Sequence, residues 1–153
     1  MDMPKNSSEG HELIAFRLGK QEYCINVMMV REIRGWTAAT VLPRVPRYIK
    51  GVINLSGAIL PIVDLAVRLG MTGAEPTARN VIIVIQIFNR QVGILVDAVS
   101  DILIADNNKI QALPDFTSDV AKNFLKGLIP VDKRMISLIT LDNVLSIEEL
   151  EAA

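Results

Sequence analysis

The chain has 153 residues, half of them apolar, with 16 Lys and Arg against 17 Asp and Glu and a formal charge of −1. That length suits one domain, or two small subdomains sharing a core, and folding at this size buries roughly 68–70% of the unfolded surface without disulfide or metal staples. Near-neutral charge leaves no electrostatic footprint for nucleic acid, a single cysteine excludes an intrachain disulfide or a cysteine-rich metal site, and no apolar run reaches the ~20 residues of a membrane span.

Residues 1–11 read as a polar tail. The opening MDMPKNSSEGHE lacks the basic start and apolar stretch of a signal peptide, so the expected compartment is the cytoplasm, with no insertion into a membrane. From there, apolar and β-branched runs of four to eight residues recur between turn signals, which predicts an all-β fold. Strands are expected over 13–18, 22–27, 51–55, 58–63, 81–88, 91–96, 125–130 and 135–141. Gly19-Lys20, Ser56-Gly57 and Asn89-Arg90 stand where tight hairpin turns belong. Val81-Ile82-Ile83-Val84-Ile85 has no polar side, so that strand must be covered on two faces, as in packed barrels or sandwiched sheets. Asp64, Leu65 to Leu69 and Gly70 predict an N-cap, a short helix and a C′ glycine. Ser146-Ile147-Glu148-Glu149 fits a capping box for a final helix over 147–153. Loops are expected over 68–80 and 106–123.

The chain also resembles itself. Val27-Met28-Met29-Val30-Arg31-Glu32-Ile33 lines up with Val96-Asp97-Ala98-Val99-Ser100-Asp101-Ile102, and Lys50-Gly51-Val52-Ile53 with Lys126-Gly127-Leu128-Ile129. The stretch 59–65 resembles 136–142 after a shift of one or two residues. Repeats reveal architecture, and this one predicts two similar β-subdomains in tandem, approximately 12–75 and 79–146, within a single domain spanning 12–150.

Chemistry-bearing residues are sparse. His11 lies at the edge of the polar tail, Asp97 and Asp101 lack a third ligand, and Cys24 reads as a small buried thiol. Gly51 to Gly57 is not a phosphate loop, since no Gly-Lys-Ser/Thr follows it. No catalytic cluster, cofactor site or metal site is expected. Asn54, ahead of Leu55-Ser56-Gly57, suits a side chain that bonds its own turn. Glu32 between Arg31 and Arg34, followed by Gly35 and Trp36, forms a mixed-charge edge beside an aromatic, a composition common at protein interfaces.

At Val30-Arg31-Glu32-Ile33-Arg34-Gly35, Pro46 to Leu55, Gly57 to Leu65 and Gly93 to Asp101, the chain resembles the CheW family of chemotaxis coupling proteins. The match runs from Glu12 to about Leu150. It implies two packed five-stranded SH3-like β-barrels with a few short helices, and no enzyme activity. It also implies an adaptor that couples transmembrane chemoreceptors to the histidine kinase CheA in membrane-associated arrays. One barrel would meet the kinase regulatory domain, and a groove between barrels would receive the cytoplasmic tip of a methyl-accepting chemotaxis receptor. On this resemblance the partner-binding residues are Val27, Val30, Glu32, Ile33, Gly51, Asn54, Ser56, Gly57 and Val99. Val27, Val30 and Val99 would line the groove, or else belong to the core between barrels. Where the family usually has Asn-Leu-Arg-Gly, this chain has Asn54-Leu55-Ser56-Gly57. In the family that arginine is associated with partner binding and with the glutamate matching Glu32; a serine supplies neither its charge nor its planar donor fork. The alternative reading is a paralogue serving a different receptor array or a non-motility pathway. An enzyme or ligand carrier built on a β-barrel has no residue cluster behind it.

Overall fold

The computed structural model describes residues 10–144. Ten strands make up most of it: β1 (His11–Leu18), β2 (Gln21–Asn26), β3 (Val30–Gly35), β4 (Ile49–Leu55), β5 (Ala58–Asp64), β6 (Val81–Ile87), β7 (Arg90–Val96), β8 (Ala98–Ala105), β9 (Leu125–Val131) and β10 (Arg134–Ile139). They form two five-stranded sheets, ordered β8-β1-β2-β10-β9 and β3-β6-β7-β5-β4. All neighbours are antiparallel except β2 with β10 and β5 with β7.

The sheets share one internal pattern. Each has an edge strand, a hairpin, a parallel junction and a second hairpin, so β1 to β5 correspond in turn to β6 to β10. The segments that resemble each other in sequence therefore occupy equivalent places: β3 matches β8, β4 matches β9 and β5 matches β10. The predicted tandem division near 75–79 is not how the sheets are built. Hairpin β1–β2 of the first half joins β8, β9 and β10 of the second, while hairpin β6–β7 joins β3, β4 and β5. Each sheet is completed by the other half. A repeat fixes which strands are alike, not which of two like partners each strand chooses.

Side-chain alternation explains why β6 lacks a polar face. Ile83, Ile85 and Ile87 point into a cluster shared by the two sheets, with Ile14, Phe16, Leu18 and Ile25 arriving from the other side. Ile82 and Val84 point away, into a second cluster with Ile53, Leu60, Ile62 and Leu95. The first sheet has its own outer cluster, around Leu13, Ala15, Cys24, Leu103, Ile129 and Ile136. Two sheets thus separate three apolar layers, and both faces of the central strands are dry.

Within the outer cluster of the first sheet, burial pushes the Cys24 thiol up to about 12, from about 9 in an exposed cysteine. The native state therefore keeps its proton where the unfolded chain loses it. Stability from this group is complete below about pH 9 and is lost as pH rises through 12. At pH 9 iodoacetamide should leave Cys24 unmodified in the folded protein and alkylate it in urea. Rapid labelling without denaturant, read by mass spectrometry, would show the burial to be wrong.

Two short helices flank the sheets, α1 (Leu65–Arg68) and α2 (Asp119–Lys122). The predicted N-cap is present: Asp64 Oδ1 accepts from Val67 N at 3.2 Å, and Gly70, just past the end, has φ +90°. Hairpin turns fall at Gly19-Lys20 and Ser56-Gly57 as expected. The third is Phe88-Asn89, one residue earlier than predicted, with Phe88 at φ +55°. Strands β3 and β8 were not among the predicted strands. Both are sheet edges with mostly exposed side chains: β3 has no apolar run, and in β8 the short run Ile102 to Ala105 follows Ser100-Asp101 and went unread. His11 opens β1, its Nε2 3.0 Å from Asn107 Oδ1, rather than lying in a tail. Nearly all of the expected tail, and the final helix with its Ser146–Glu149 capping box, lie outside the described residues.

Two contacts stitch distant parts of the chain together. Arg134 on β10 meets Glu22 on β2 at 3.2 Å and Asp101 on β8 at 3.9 Å. Arg68 places its guanidinium 4.5 Å from the Tyr48 ring centre and 5.0 Å from that of Phe124. Arg68 also donates to the carbonyls of Val144 and Asn143, and its partial burial holds its pKa below the usual arginine value.

Candidate functional site

The chain crosses between sheets at two points in the middle of the molecule. A 3₁₀ turn over Val27–Met29 leads from β2 to β3, touching both β1 and β6. Asp97 alone leads from β7 to β8; its carboxylate accepts from Gly19 N at 2.6 Å and its own N–H donates to the Arg17 carbonyl. Asp97 and Asp101 do not act as a pair, since Asp101 meets Arg134 and the N–H of Ile102.

Val27, Val30 and Val99 flank these crossings, each partly buried against the shared core. They are the shoulders of that core rather than a free lining. Beyond them the register places exposed side chains on the same side. Ile102 pairs with Ile14 and Ile104 with Glu12, so both isoleucines share the strand face that Ile14 turns toward the other sheet. Ile33 pairs with Ile83 and shares its face in turn. Met28, on the crossing itself, is 79% exposed, with Ile33 at 47%, Ile102 at 61% and Ile104 at 70%. The crossing and the inward faces of the edge strands β3 and β8 thus each carry exposed apolar side chains. Water-facing apolar side chains gathered this way mark an interaction surface.

The remaining predicted residues fall elsewhere. Glu32 pairs with Val84, on the opposite face of β3 from Ile33, and its carboxylate is held 2.8 Å from Arg34. Gly51 is buried and plays a backbone role. Its φ is +144°, and a Cβ there would stand 2.2 Å from the Thr40 carbonyl oxygen, because Thr40 bridges to Val52 beside it. Gly127 meets Gln111 in the matching place on β9. Asn54, Ser56 and Gly57 form the exposed β4–β5 turn. Asn54 Oδ1 accepts from Gly57 N at 2.7 Å, and Ser56 and Gly57 both have positive φ, +51° and +91°, as a type I′ hairpin turn requires.

Beside this turn lies a second exposed apolar area. Ile59 and Phe88 are 69% and 65% exposed, next to a cleft of about 380 Å³ lined by Leu55, Ile59, Pro61, Arg90 and others. The predicted residues thus divide into a seam group (Val27, Val30, Ile33 and Val99), a hairpin-end group (Asn54, Ser56 and Gly57), one buried glycine (Gly51) and Glu32 on the other face of β3. Met28, Ile59, Phe88, Ile102 and Ile104 were missed. Ile102 had a signal, since the internal repeat aligns it with Ile33.

Residues 12–149 match the CheW-like domain family. The chain is 58% identical over 144 residues to the chemotaxis protein CheW of Rhizobium meliloti (strain 1021), covering 94% of this chain and 93% of that one. It is 40% identical over 141 residues to the CheW of Klebsiella aerogenes, covering 92% and 85%. Among solved structures it superposes on the scaffolding protein TtCheW of Thermoanaerobacter tengcongensis with a TM-score of 0.83 at 28% identity, covering 92% of this chain and 95% of that one. With a family match over nearly its whole length and the same two-sheet architecture, the chain belongs to the CheW-like domain family.

Proposed function

We propose that this protein is a non-catalytic chemotaxis adaptor in the cytoplasm, coupling transmembrane chemoreceptors to the histidine kinase CheA in membrane-associated arrays. The seam between sheets receives the receptor's cytoplasmic hairpin tip, whose helices offer apolar side chains to a groove. The Ser56-Gly57 end of the second sheet, with Ile59 and Phe88, meets the kinase regulatory domain. The observation that carries this reading is the pair of separate exposed apolar surfaces on a scaffold matched to chemotaxis proteins along its length. Two surfaces are what a coupling protein needs in order to hold two partners at once.

Ser56 tests the kinase contact. The exposed turn accepts a long side chain without touching the core, so Ser56→Arg leaves the fold intact. If an arginine there is an interface hot spot, restoring it tightens regulatory-domain binding about thirtyfold, equivalent to about 2 kcal/mol. Isothermal titration of both forms against the CheA regulatory domain and a receptor signalling fragment, with circular dichroism as the folding control, measures this. Binding of neither partner by either folded form would end the adaptor reading. Equal binding by both forms would end only the role given to residue 56.

A further inference from the structure

Where the chain crosses from β2 to β3, the three side chains of the 3₁₀ turn divide in two. Val27 and Met29 pack against the core shared by the sheets. Met28, between them, is 79% exposed. Its backbone is held on both sides: Met28 N donates to Asn26 Oδ1 at 2.8 Å, and the Met28 carbonyl accepts from Arg31 Nη1 at 3.1 Å. A pinned turn thus presents a thioether to solvent at the seam, the surface assigned above to the receptor.

The other sulfur atoms among the described residues are placed differently. Met29 and Met71 are half-buried against the shared core, and Cys24 is buried. Met135 is 52% exposed, but it precedes Ile136, which pairs with Glu22 at the far end of β2 from the crossing. An oxidant must reach sulfur to act on it, so exposure ranks these residues and puts Met28 first.

We infer that Met28 is a reversible oxidation site that governs receptor binding, an inference that rests on the seam being the receptor surface. Hydrogen peroxide transfers one oxygen to the thioether: the S–O bond forms as the O–O bond breaks, sulfur gives up two electrons, and the remainder of the peroxide leaves as water. A thiol-dependent sulfoxide reductase reverses the step, the oxygen leaving as water while two thiols close to a disulfide. The sulfoxide replaces a pliable apolar side chain with a strong hydrogen-bond acceptor. Burying that acceptor against apolar helix residues that offer no donor is costly. The oxidised seam therefore releases the receptor, while the Asn54–Ile59 hairpin end, which contains no methionine, keeps the kinase.

The test treats the full chain with hydrogen peroxide, removes the excess and locates added oxygen by mass spectrometry. The product is then titrated against a receptor signalling fragment and the CheA regulatory domain. Met28 should take up oxygen before Met29 and Met71, and more slowly when the receptor fragment is present at saturation. Oxidation should weaken receptor binding about tenfold or more and leave kinase binding unchanged, and sulfoxide reductase should restore the loss. Met28→Leu, whatever its starting affinity, should lose none of it to peroxide, although its other methionines still oxidise. Met28→Gln, polar without oxidation, should bind as weakly as the oxidised protein. Equal losses in the unmodified chain and in Met28→Leu would overturn the inference. So would undiminished receptor affinity once Met28 is oxidised, or uptake at Met28 that ignores the receptor fragment. Failure of the untreated, folded protein to bind the fragment would overturn the seam assignment itself, and this inference with it.

Discussion

Gly51→Ala lowers the stability of this protein by about 3 kcal/mol or more, a sizeable part of the roughly 5–15 kcal/mol that holds a domain together. The added methyl group would stand 2.2 Å from Thr40 O and 2.8 Å from Thr40 C. These are backbone atoms, which cannot swing aside as the end of a side chain can. Making room means breaking the bridge in which Thr40 N donates to Val52 O at 2.8 Å and Val52 N to Thr40 O at 2.9 Å. Each of those bonds contributes about 0.5–1.5 kcal/mol. The backbone at φ +144° adds about 1–3 kcal/mol for any residue with a Cβ. Gly57→Ala is the control, since Gly57 also has positive φ, +91°, but open space where a Cβ would go. It should cost only about 1–2 kcal/mol. Urea denaturation of the three proteins, followed by circular dichroism, separates the two effects. Equal midpoints for the two variants would mean that the close approach of Thr40 carries no weight. Gly51 thus serves the frame of the second sheet, where Thr40 closes against the backbone of β4.

Ile102→Asp combined with Ile104→Asp should weaken binding of a receptor signalling fragment about a hundredfold, equivalent to about 2.7 kcal/mol. Both side chains are mostly exposed on an edge strand, so their replacement removes little buried area, and surface changes of this kind usually stay within about 0.5 kcal/mol in stability. Binding to the kinase regulatory domain should not change, because that contact is assigned to the hairpin end of the other sheet. Titration against each partner therefore gives a distinctive result: one affinity lost, one kept, with an unchanged urea midpoint. Receptor binding that survives the double change would remove the seam from consideration. Loss of both affinities would indicate a single composite surface in place of two.

Much of this was legible in the sequence because burial leaves a mark there. β6 could be placed, and its need for cover on both sides inferred, from Val81 to Ile85 alone. The short helix after Asp64 followed from its cap and from Gly70. Edge strands leave no such mark: β3 reads Val-Arg-Glu-Ile-Arg-Gly, and β8 begins Ala-Val-Ser-Asp, so both passed as connections. The seam isoleucines were hidden for the same reason. An exposed apolar residue on an edge differs from a buried one only in its surroundings, and only strand pairing reveals those. The exchange of hairpins between halves was out of reach, because like strands offer like faces and local pattern does not distinguish pairing within a half from pairing across.

That exchange bears on how the protein is made. A ribosome delivers β1 and β2 before the other eight strands, yet their lateral neighbours are β8 and β10, which emerge only after the whole second sheet. At about 5–20 residues per second the early hairpin waits on the order of ten seconds for them. Until β6 and β7 emerge, Phe16 and Ile25 have no second sheet to cover them, and until β8 and β10 emerge the outer face of the hairpin, with Leu13, Ala15 and Cys24, stays uncovered. The β6–β7 hairpin, by contrast, arrives after β3, β4 and β5, so the second sheet can assemble before translation ends. Synthesis therefore imposes an order on two otherwise equivalent sheets: the one carrying the hairpin end closes first, and the one containing the amino-terminal strands closes last. A nascent chain stalled before β8 would present an uncovered apolar hairpin to chaperones and proteases, with no self-sufficient amino-terminal module to protect it.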